Sequence, residues 1–379
     1  MPPALFLQSD VKDPYVLYEQ MLLLNPVYWY EQQQLCAIYS YRECLSVLNN
    51  SDAHIPSVSP DNKDSLTDYA ARTAKQLARL NNGHDHEITK AAAILLAGKM
   101  KKVSTADIME TLIDKNEIDW VDAVCKKLPV TVLLKSLFFS EEAIDCIAGK
   151  MDQLVKIMLP NKTESDVMAI NAIAPGICKL VEEHLTASAF LAPVVNAIAE
   201  KYTVEADHAL AICVSNIIGL VIQGYDACRG LLSNSLLQML CRPRLSDKKF
   251  IEKSVIETLR FDPPVHNTKR IAARDISLAG IEIKNGTMIL LVLAAANRDG
   301  SVFNQPSVFD IERNNNHVHL TFGTGRHMCV ANHFSVALAT TALSWLFERF
   351  SNIELIEKNI QYEPLMNVRL AKRLMLKLG

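Results

Sequence analysis

Glycine and proline are scarce, 13 and 15 of 379 residues. So few turn formers leave little room for the many short strands of a sandwich or barrel. The nine cysteines (Cys36, Cys44, Cys125, Cys146, Cys178, Cys213, Cys228, Cys241 and Cys329) never occur as Cys-x-x-Cys. An odd, scattered set excludes a disulfide framework and a four-thiolate zinc site, and fits a reducing compartment. Neither sign of charge dominates: 39 Lys and Arg against 42 Asp and Glu leave a net charge of -3. No overall field draws such a chain onto nucleic acid or an anionic membrane. The opening MPPALFLQSDVKDPY lacks the basic start and apolar stretch of a secretory leader. The longest apolar run, Met288 to Ala296, is about half of the roughly 20 residues needed to span a bilayer. The expectation is a soluble, cytoplasmic protein without nucleic-acid or membrane partners.

What is present is core material. Hydrophobic residues make up 49% and charged residues 21%, enough to bury a large interior. Apolar spacing predicts helices over 16–24 and 41–48, with a hairpin from 27–31 and 35–39 between them. Residues 51–64, with Pro56 and Pro60, read as an ordered loop or a lid. From 65 to about 249 the pattern is almost entirely helical, punctuated at Asn81-Asn82-Gly83, Pro129, Pro160-Asn161, Pro175-Gly176, Pro193 and Pro243. The longest helix, 204–240, carries Gln223-Gly224-Tyr225-Asp226 in its apolar middle. A helix over 250–261 stops at Asp262-Pro263-Pro264. Strand-like pieces at 270–272, 276–278, 281–283 and 288–291 follow, then an irregular stretch to Thr324, a helix over 330–350 and an alternating tail, 353–378. The expected fold class is mainly α with small β-sheets, as one domain over 1–379. Its β-rich part covers roughly 1–60, 265–295 and 353–379; its helical part covers roughly 65–260 and 330–350. There is no βαβ alternation.

One segment carries chemistry: Phe322-Gly323-Thr324-Gly325-Arg326-His327-Met328-Cys329. A glycine-rich loop ends in a cysteine just before a helix. A thiolate there meets the positive end of the helix dipole, with Arg326 and His327 as cationic neighbours. Such a sulfur suits an iron held from one axial side. An ordinary buried cysteine after a turn is the other reading of this spacing taken alone. Glu257 and Arg260 share a helix face at i, i+3 and, with Arg313, can form a charged cluster behind the loop. Two histidine pairs, His84/His86 and His317/His319, lack the supporting thiolates or carboxylates of a metal site.

FGTGRHMC resembles the haem-binding loop of cytochromes P-450, in the soluble bacterial form. Further marks of that family follow in order: Glu257-Thr258-Leu259-Arg260 as its E-x-x-R, RFDPPVHNTKRIAARDISLAG after it, then Ala296-Asn297-Arg298-Asp299 and Phe309-Asp310-Ile311-Glu312-Arg313. Asp13-Pro14-Tyr15-Val16-Leu17-Tyr18 resembles the start of its first helix. The resemblance spans almost the whole chain. It implies the cytochrome P-450 fold enclosing haem b, with Cys329 as axial ligand and Phe322 opening the loop. It also implies His327, Arg270, His86 and Lys90 as propionate partners, Lys90 standing where arginine is usual. Glu257, Arg260 and Arg313 are implied to be structural. The implied activity is hydroxylation or epoxidation of a moderately lipophilic small molecule in secondary-metabolite biosynthesis, with electrons from a ferredoxin-type donor and its reductase. Lys99, Lys101 and Lys102 read either as a docking patch for it or as a solvated helix end.

The sequence departs from the family at the oxygen-side motif. Where Ala/Gly-Gly-x-Asp/Glu-Thr-Thr is usual, it reads Gln223-Gly224-Tyr225-Asp226-Ala227-Cys228. Gly224 leaves room by lacking Cβ, and Asp226 can serve a proton chain. Ala227 replaces the threonine hydroxyl that helps to protonate bound oxygen. A working monooxygenase with a substituted proton path is one reading. A peroxide-driven or non-oxygenating haem-thiolate enzyme is the second, although the helix lacks the Arg-Pro pair of peroxide-using fatty-acid members. A catalytically silent haem protein that binds a ligand or carrier protein is the third. Gln223, Tyr225, Val265 and Ala371 are candidates for the substrate pocket. Gln223 and Tyr225 either face the pocket or pack against neighbouring helices. A second departure is Ala331, where glycine is usual.

Overall fold

The computed structural model describes residues 3–56, 66–159, 162–242 and 247–379. The chain forms two compact units. One comprises the chain up to Pro56, Thr105–Lys126 and Asp226–Gly379. The other lies within Ser57–Ser104 and Lys127–Tyr225. The boundary falls inside the long helix Ala206–Leu240. Of the expected lid, residues 57–64 lie outside the described residues, as do Pro160, Asn161 and Pro243.

The first unit holds every described strand. Its five-stranded sheet runs in the order Val27–Tyr30, Leu35–Ile38, Met288–Leu291, Thr268–Ala272, Ala53–His54. The first pair is the hairpin expected from its β-branched and aromatic residues, with Val27 opposite Ile38 and Tyr30 opposite Leu35. Leu35–Ile38 then pairs in parallel with Met288–Leu291. All four residues of Leu35–Ile38 are buried, because both faces of the sheet are covered. Cys36, Ile38, Ile289 and Leu291 face Val47 and Leu48 of helix Tyr41–Asn49. Leu35, Ala37 and Leu290 face Tyr18 and Met21 of helix Pro14–Leu24. The period-2 alternation of a strand thus divides one buried run between two helices.

A second sheet places Met375–Leu378 between Glu117–Asp119 and Ile353–Leu355. Glu117–Asp119 falls where the sequence predicts helix. A three-residue strand with one buried residue, Ile118, is too short to show a period. Its place comes from pairing Ile118 with Leu376.

Two helices frame the chemistry of this unit. Asp247 caps Lys248–Phe261 by accepting the Lys249 N–H, and the helix stops before Pro263-Pro264. Asn332–Arg349 packs against it and buries Leu338, Ala339, Ala342, Leu343 and Leu346, spaced at three and four along one face.

The regular elements among the described residues of the second unit are all helices. Helix Glu164–Ala187 opens with a capping box between Thr163 and Asp166. It continues through Pro175, where the sequence predicts a break. Ala174, Ile177 and Cys178, each at most 2% exposed, supply burial that offsets the missing hydrogen bond of the proline. Helix Ala206–Leu240, 35 residues, is about 52 Å long at a rise of about 1.5 Å per residue. It is long and apolar enough to cross a membrane, but 72% of its most apolar window is buried within the protein. Within this unit a Cβ on Gly219 would lie 2.6 Å from Leu77 Cδ2, so the glycine permits a close approach.

Candidate active site

The cysteine loop is held by its own backbone. Gly323 and Gly325 both have φ +65°, a left-handed conformation that costs other residues energy. A Cβ on Gly325 would also lie 2.7 Å from Asn49 Oδ1 and 3.3 Å from the Leu48 carbonyl oxygen. Glycine therefore lets the loop sit on the end of helix Tyr41–Asn49. Residues Gly325–His327 make a single 3₁₀ turn. The Cys329 N–H then donates to the Phe322 carbonyl at 2.9 Å, closing the loop on its first residue. Arg326, Met328 and Cys329 are exposed and His327 is half-buried. Helix Asn332–Arg349 begins three residues beyond the cysteine.

Beneath the loop lies a residue to which the sequence assigns no role. Asn297, fully buried, accepts the Leu320 N–H at 2.7 Å and donates to Thr321 Oγ1 at 2.9 Å. The Thr321 hydroxyl donates to the Leu259 carbonyl at 2.5 Å. These bonds tie helix Lys248–Phe261 to the chain entering the loop. Asn297 belongs to the Ala-Asn-Arg-Asp segment, but its motif gives no hint of the partner. His319, just upstream, is pushed down to about 4 by burial, and its ring lies 5.6 Å from that of Phe322.

Glu257 and Arg260 form a fully buried bidentate pair, with Nε–Oε2 at 2.8 Å and Nη2–Oε1 at 2.6 Å. The remaining donors of Arg260 reach the carbonyls of Asn297, Pro306 and Val308, while Glu257 Oε1 accepts the Asp310 N–H at 2.9 Å. Such a pair has all its groups satisfied, which a buried charge requires. The expected three-member charged cluster is corrected at Arg313. It makes no ion pair with Glu257 among the described residues and donates to the carbonyls of Asn304, Gln305 and Val308. Arg260 already fills the carboxylate, so Arg313 serves the irregular segment through its carbonyl oxygens.

On the long helix, Asp226, Ala227 and Cys228 belong to the first unit. Asp226 and Ala227 are half-buried; Cys228 is 2% exposed. The Cys228 thiol donates to Ser335 Oγ at 3.6 Å, and Ser335 Oγ donates to the Ala331 carbonyl at 2.9 Å. Burial pushes this thiol up to about 11. Cys228 thus connects to the first turn after the cysteine loop, a link that residue spacing does not reveal. Arg270, 3% exposed, donates to Thr268 Oγ1 at 3.2 Å and to the Lys269 carbonyl at 2.7 Å. Val265 is half-buried and bridges to Val368. Ala371 is fully buried, and its carbonyl accepts from Arg229 at 3.1 Å.

The other candidates lie in the second unit. His86, 6% exposed, donates from Nδ1 to the Ala78 carbonyl at 2.8 Å, four residues before half-buried Lys90 on helix Gly83–Ala97. Gln223 folds back to donate to the Gly219 carbonyl at 3.0 Å. Tyr225, 4% exposed, directs its hydroxyl to Asp152 Oδ1 at 3.5 Å. A Cβ on Gly224 would meet nothing within 4 Å. Lys99, Lys101 and Lys102 are exposed, with Lys101 Nζ 4.8 Å from the centroid of the Phe138 ring.

The donor chemistry fits an iron held in a macrocycle. Among the described residues no three His, Cys, Asp or Glu side chains gather as a metal cage. The exposed Cys329 on its closed loop would be a single sulfur donor to such an iron, the remaining positions being filled by the ring that holds it.

The family model described as Cytochrome P-450 matches residues 238–378. The biotin biosynthesis cytochrome P-450 of Bacillus subtilis (strain 168) is 25% identical, over 96% of each chain. A putative cytochrome P-450 140 of Mycobacterium bovis is 39% identical over 36% of this chain and 33% of its own. Among solved structures, P-450BioI in complex with hexadec-9Z-enoic acid ligated acyl carrier protein has a TM-score of 0.84 at 23% identity, covering 98% of this chain and 100% of that one. CYP109E1 from Bacillus megaterium in complex with testosterone has a TM-score of 0.82 at 22% identity, covering 97% and 99%.

Proposed function

We propose that the chain, which is similar to cytochromes P-450 in sequence over residues 238–378 and in fold along its length, is a member of that superfamily and inserts one oxygen atom into a C–H or C=C bond of a moderately lipophilic small molecule in secondary metabolism. The exposed Cys329 thiol on its closed loop is the observation that carries this reading. When bound, haem b supplies the redox-active iron at which oxygen is activated. Cys329 would hold its iron through sulfur. His327 and Arg270 would provide positive charge for its propionates; the family resemblance gives His86 and Lys90 the same role, with lysine lacking the bidentate geometry of arginine. The Glu257–Arg260 pair keeps the irregular segment in place behind the loop.

The resemblance gives Gly224 and Asp226 to the oxygen side; a Cβ on Gly224 would meet nothing within 4 Å, and Asp226 is a carboxylate that can hold and move a proton. Ala227 has no hydroxyl, so ordered water or a substrate hydroxyl would have to pass on the proton that Asp226 can hold. Electrons come from a ferredoxin-type donor with its reductase, docked on Lys99, Lys101 and Lys102, in the cytoplasm. The lipophilic class is supported by the acyl-carrier complex of P-450BioI and the testosterone complex of CYP109E1. One observation favours a second reading. With Ala227 in place of threonine, peroxide as oxidant bypasses the missing proton step.

Turnover with a ferredoxin and its reductase, compared with peroxide alone, separates the two. Product formed in proportion to reductant consumed supports the first. Product formed only with peroxide overturns it in favour of the second.

A further inference from the structure

A cleft of about 360 Å³ opens in the first unit where the first helix begins and helix Lys248–Phe261 ends. It is in the size range of small-ligand sites. Two arginines line it, and neither has a carboxylate within ion-pair distance among the described residues. Arg298 lies 3.5 Å over the Tyr15 ring and 3.8 Å over that of Phe261. Its Nε and Nη2 both donate to the Phe261 carbonyl, at 2.9 and 2.7 Å. Its Nη1 has no bond to a described residue and keeps solvent access. Arg369, 4% exposed, lies 3.5 Å over the Tyr362 ring and donates to the carbonyls of Gln8, Val11 and Lys12.

Carbonyl dipoles partly solvate a guanidinium but do not cancel its charge. The two carboxylates of the cleft offset part of the cost of burying Arg298 without forming an ion pair with it. Asp13 accepts the Tyr15 N–H at 3.0 Å, and Asp262 accepts the Tyr15 hydroxyl at 2.9 Å. With exposed Lys12 at the rim, three cations face two carboxylates, a surplus of one positive charge. Burial also depresses the Arg298 pKa, a cost that an anion at Nη1 would relieve.

We infer that this cleft binds a small organic or inorganic oxyanion, a carboxylate or phosphate group received by Arg298 Nη1 and Lys12. A planar guanidinium edge suits oxyanions of either geometry. The aromatic rings beside it accept an apolar remainder on the carboxylate.

The test is calorimetric titration of the haem-loaded full chain in low-salt buffer, with inorganic phosphate and, separately, with benzoate. Expected is saturable one-to-one binding with a Kd below about 1 mM for at least one of them; which one binds distinguishes phosphate from carboxylate. Arg298→Gln weakens it at least about tenfold and Lys12→Glu about threefold, since one donor is charge-assisted and the other is screened at the rim. If Arg298→Gln fails to fold, the exposed Lys12→Glu decides alone. No heat beyond that of chloride at equal ionic strength overturns the inference. So does unchanged affinity in the variants.

Discussion

Arg260 and Arg313 donate to the same oxygen, the Val308 carbonyl, each from Nη2 at 3.1 Å. Only Arg260 reaches Glu257. The irregular segment before the cysteine loop is therefore fastened twice, once through a buried ion pair and once through carbonyl oxygens alone. The two fastenings differ in what their loss leaves behind.

Removing Arg260 strands a fully buried carboxylate. Arg260→Leu is expected to cost about 3–5 kcal/mol and to prevent haem retention. Arg313→Ala leaves only carbonyls to be hydrated and is expected to cost about 1 kcal/mol. Denaturant unfolding of the two variants checks the order. Equal losses would contradict the distinction.

Two glycines should respond oppositely to alanine. At Gly325 a methyl meets Asn49 Oδ1 at 2.7 Å in a left-handed backbone. A cost of about 1–3 kcal/mol and weakened haem retention are expected. At Gly224 a methyl meets nothing within 4 Å in the middle of a helix, and stability should rise by about 0.5–1 kcal/mol. Turnover should fall if, as proposed, Gly224 lies on the oxygen side. Unfolding and turnover of Gly224→Ala, measured together, separate the two roles. A variant that is destabilised, or fully active, contradicts this one.

Ala227→Thr restores the missing hydroxyl. The expected result is more product and less leaked peroxide per reductant consumed. An unchanged ratio shows that Ala227 does not limit proton delivery.

Acid should weaken the fold through His319. Burial holds this imidazole at about 4 in the folded chain, against about 6.5 when unfolded. Between those values the unfolded state binds the extra proton. The contribution is complete above about pH 6.5 and is lost as pH falls toward 4, up to about 3 kcal/mol. Buried His266 is shifted down as well, so His319→Asn should make the acid slope of unfolding free energy shallower without abolishing it. An unchanged slope contradicts the assignment.

Much of this was legible in local pattern. The hairpin at Val27–Ile38, the stop at Pro263-Pro264 and the cysteine loop each depend on a few adjacent residues. Partners that are distant in sequence were not legible. Pro175 sits inside a helix because its neighbours are buried by other elements. Glu117–Asp119 is a strand because Leu376 lies opposite Ile118. The Arg313 carbonyls, the Asn297 bonds under the loop and the Cys228–Ser335 contact join residues that no periodicity connects.

The central claim is that Cys329 is the sulfur that holds the haem iron. The absorption spectrum of the reduced, carbon-monoxide-treated protein tests it directly. The account predicts a Soret band at the thiolate-ligated position, lost in Cys329→Ala. A wild-type band at another position, or the same spectrum in Cys329→Ala, would contradict it.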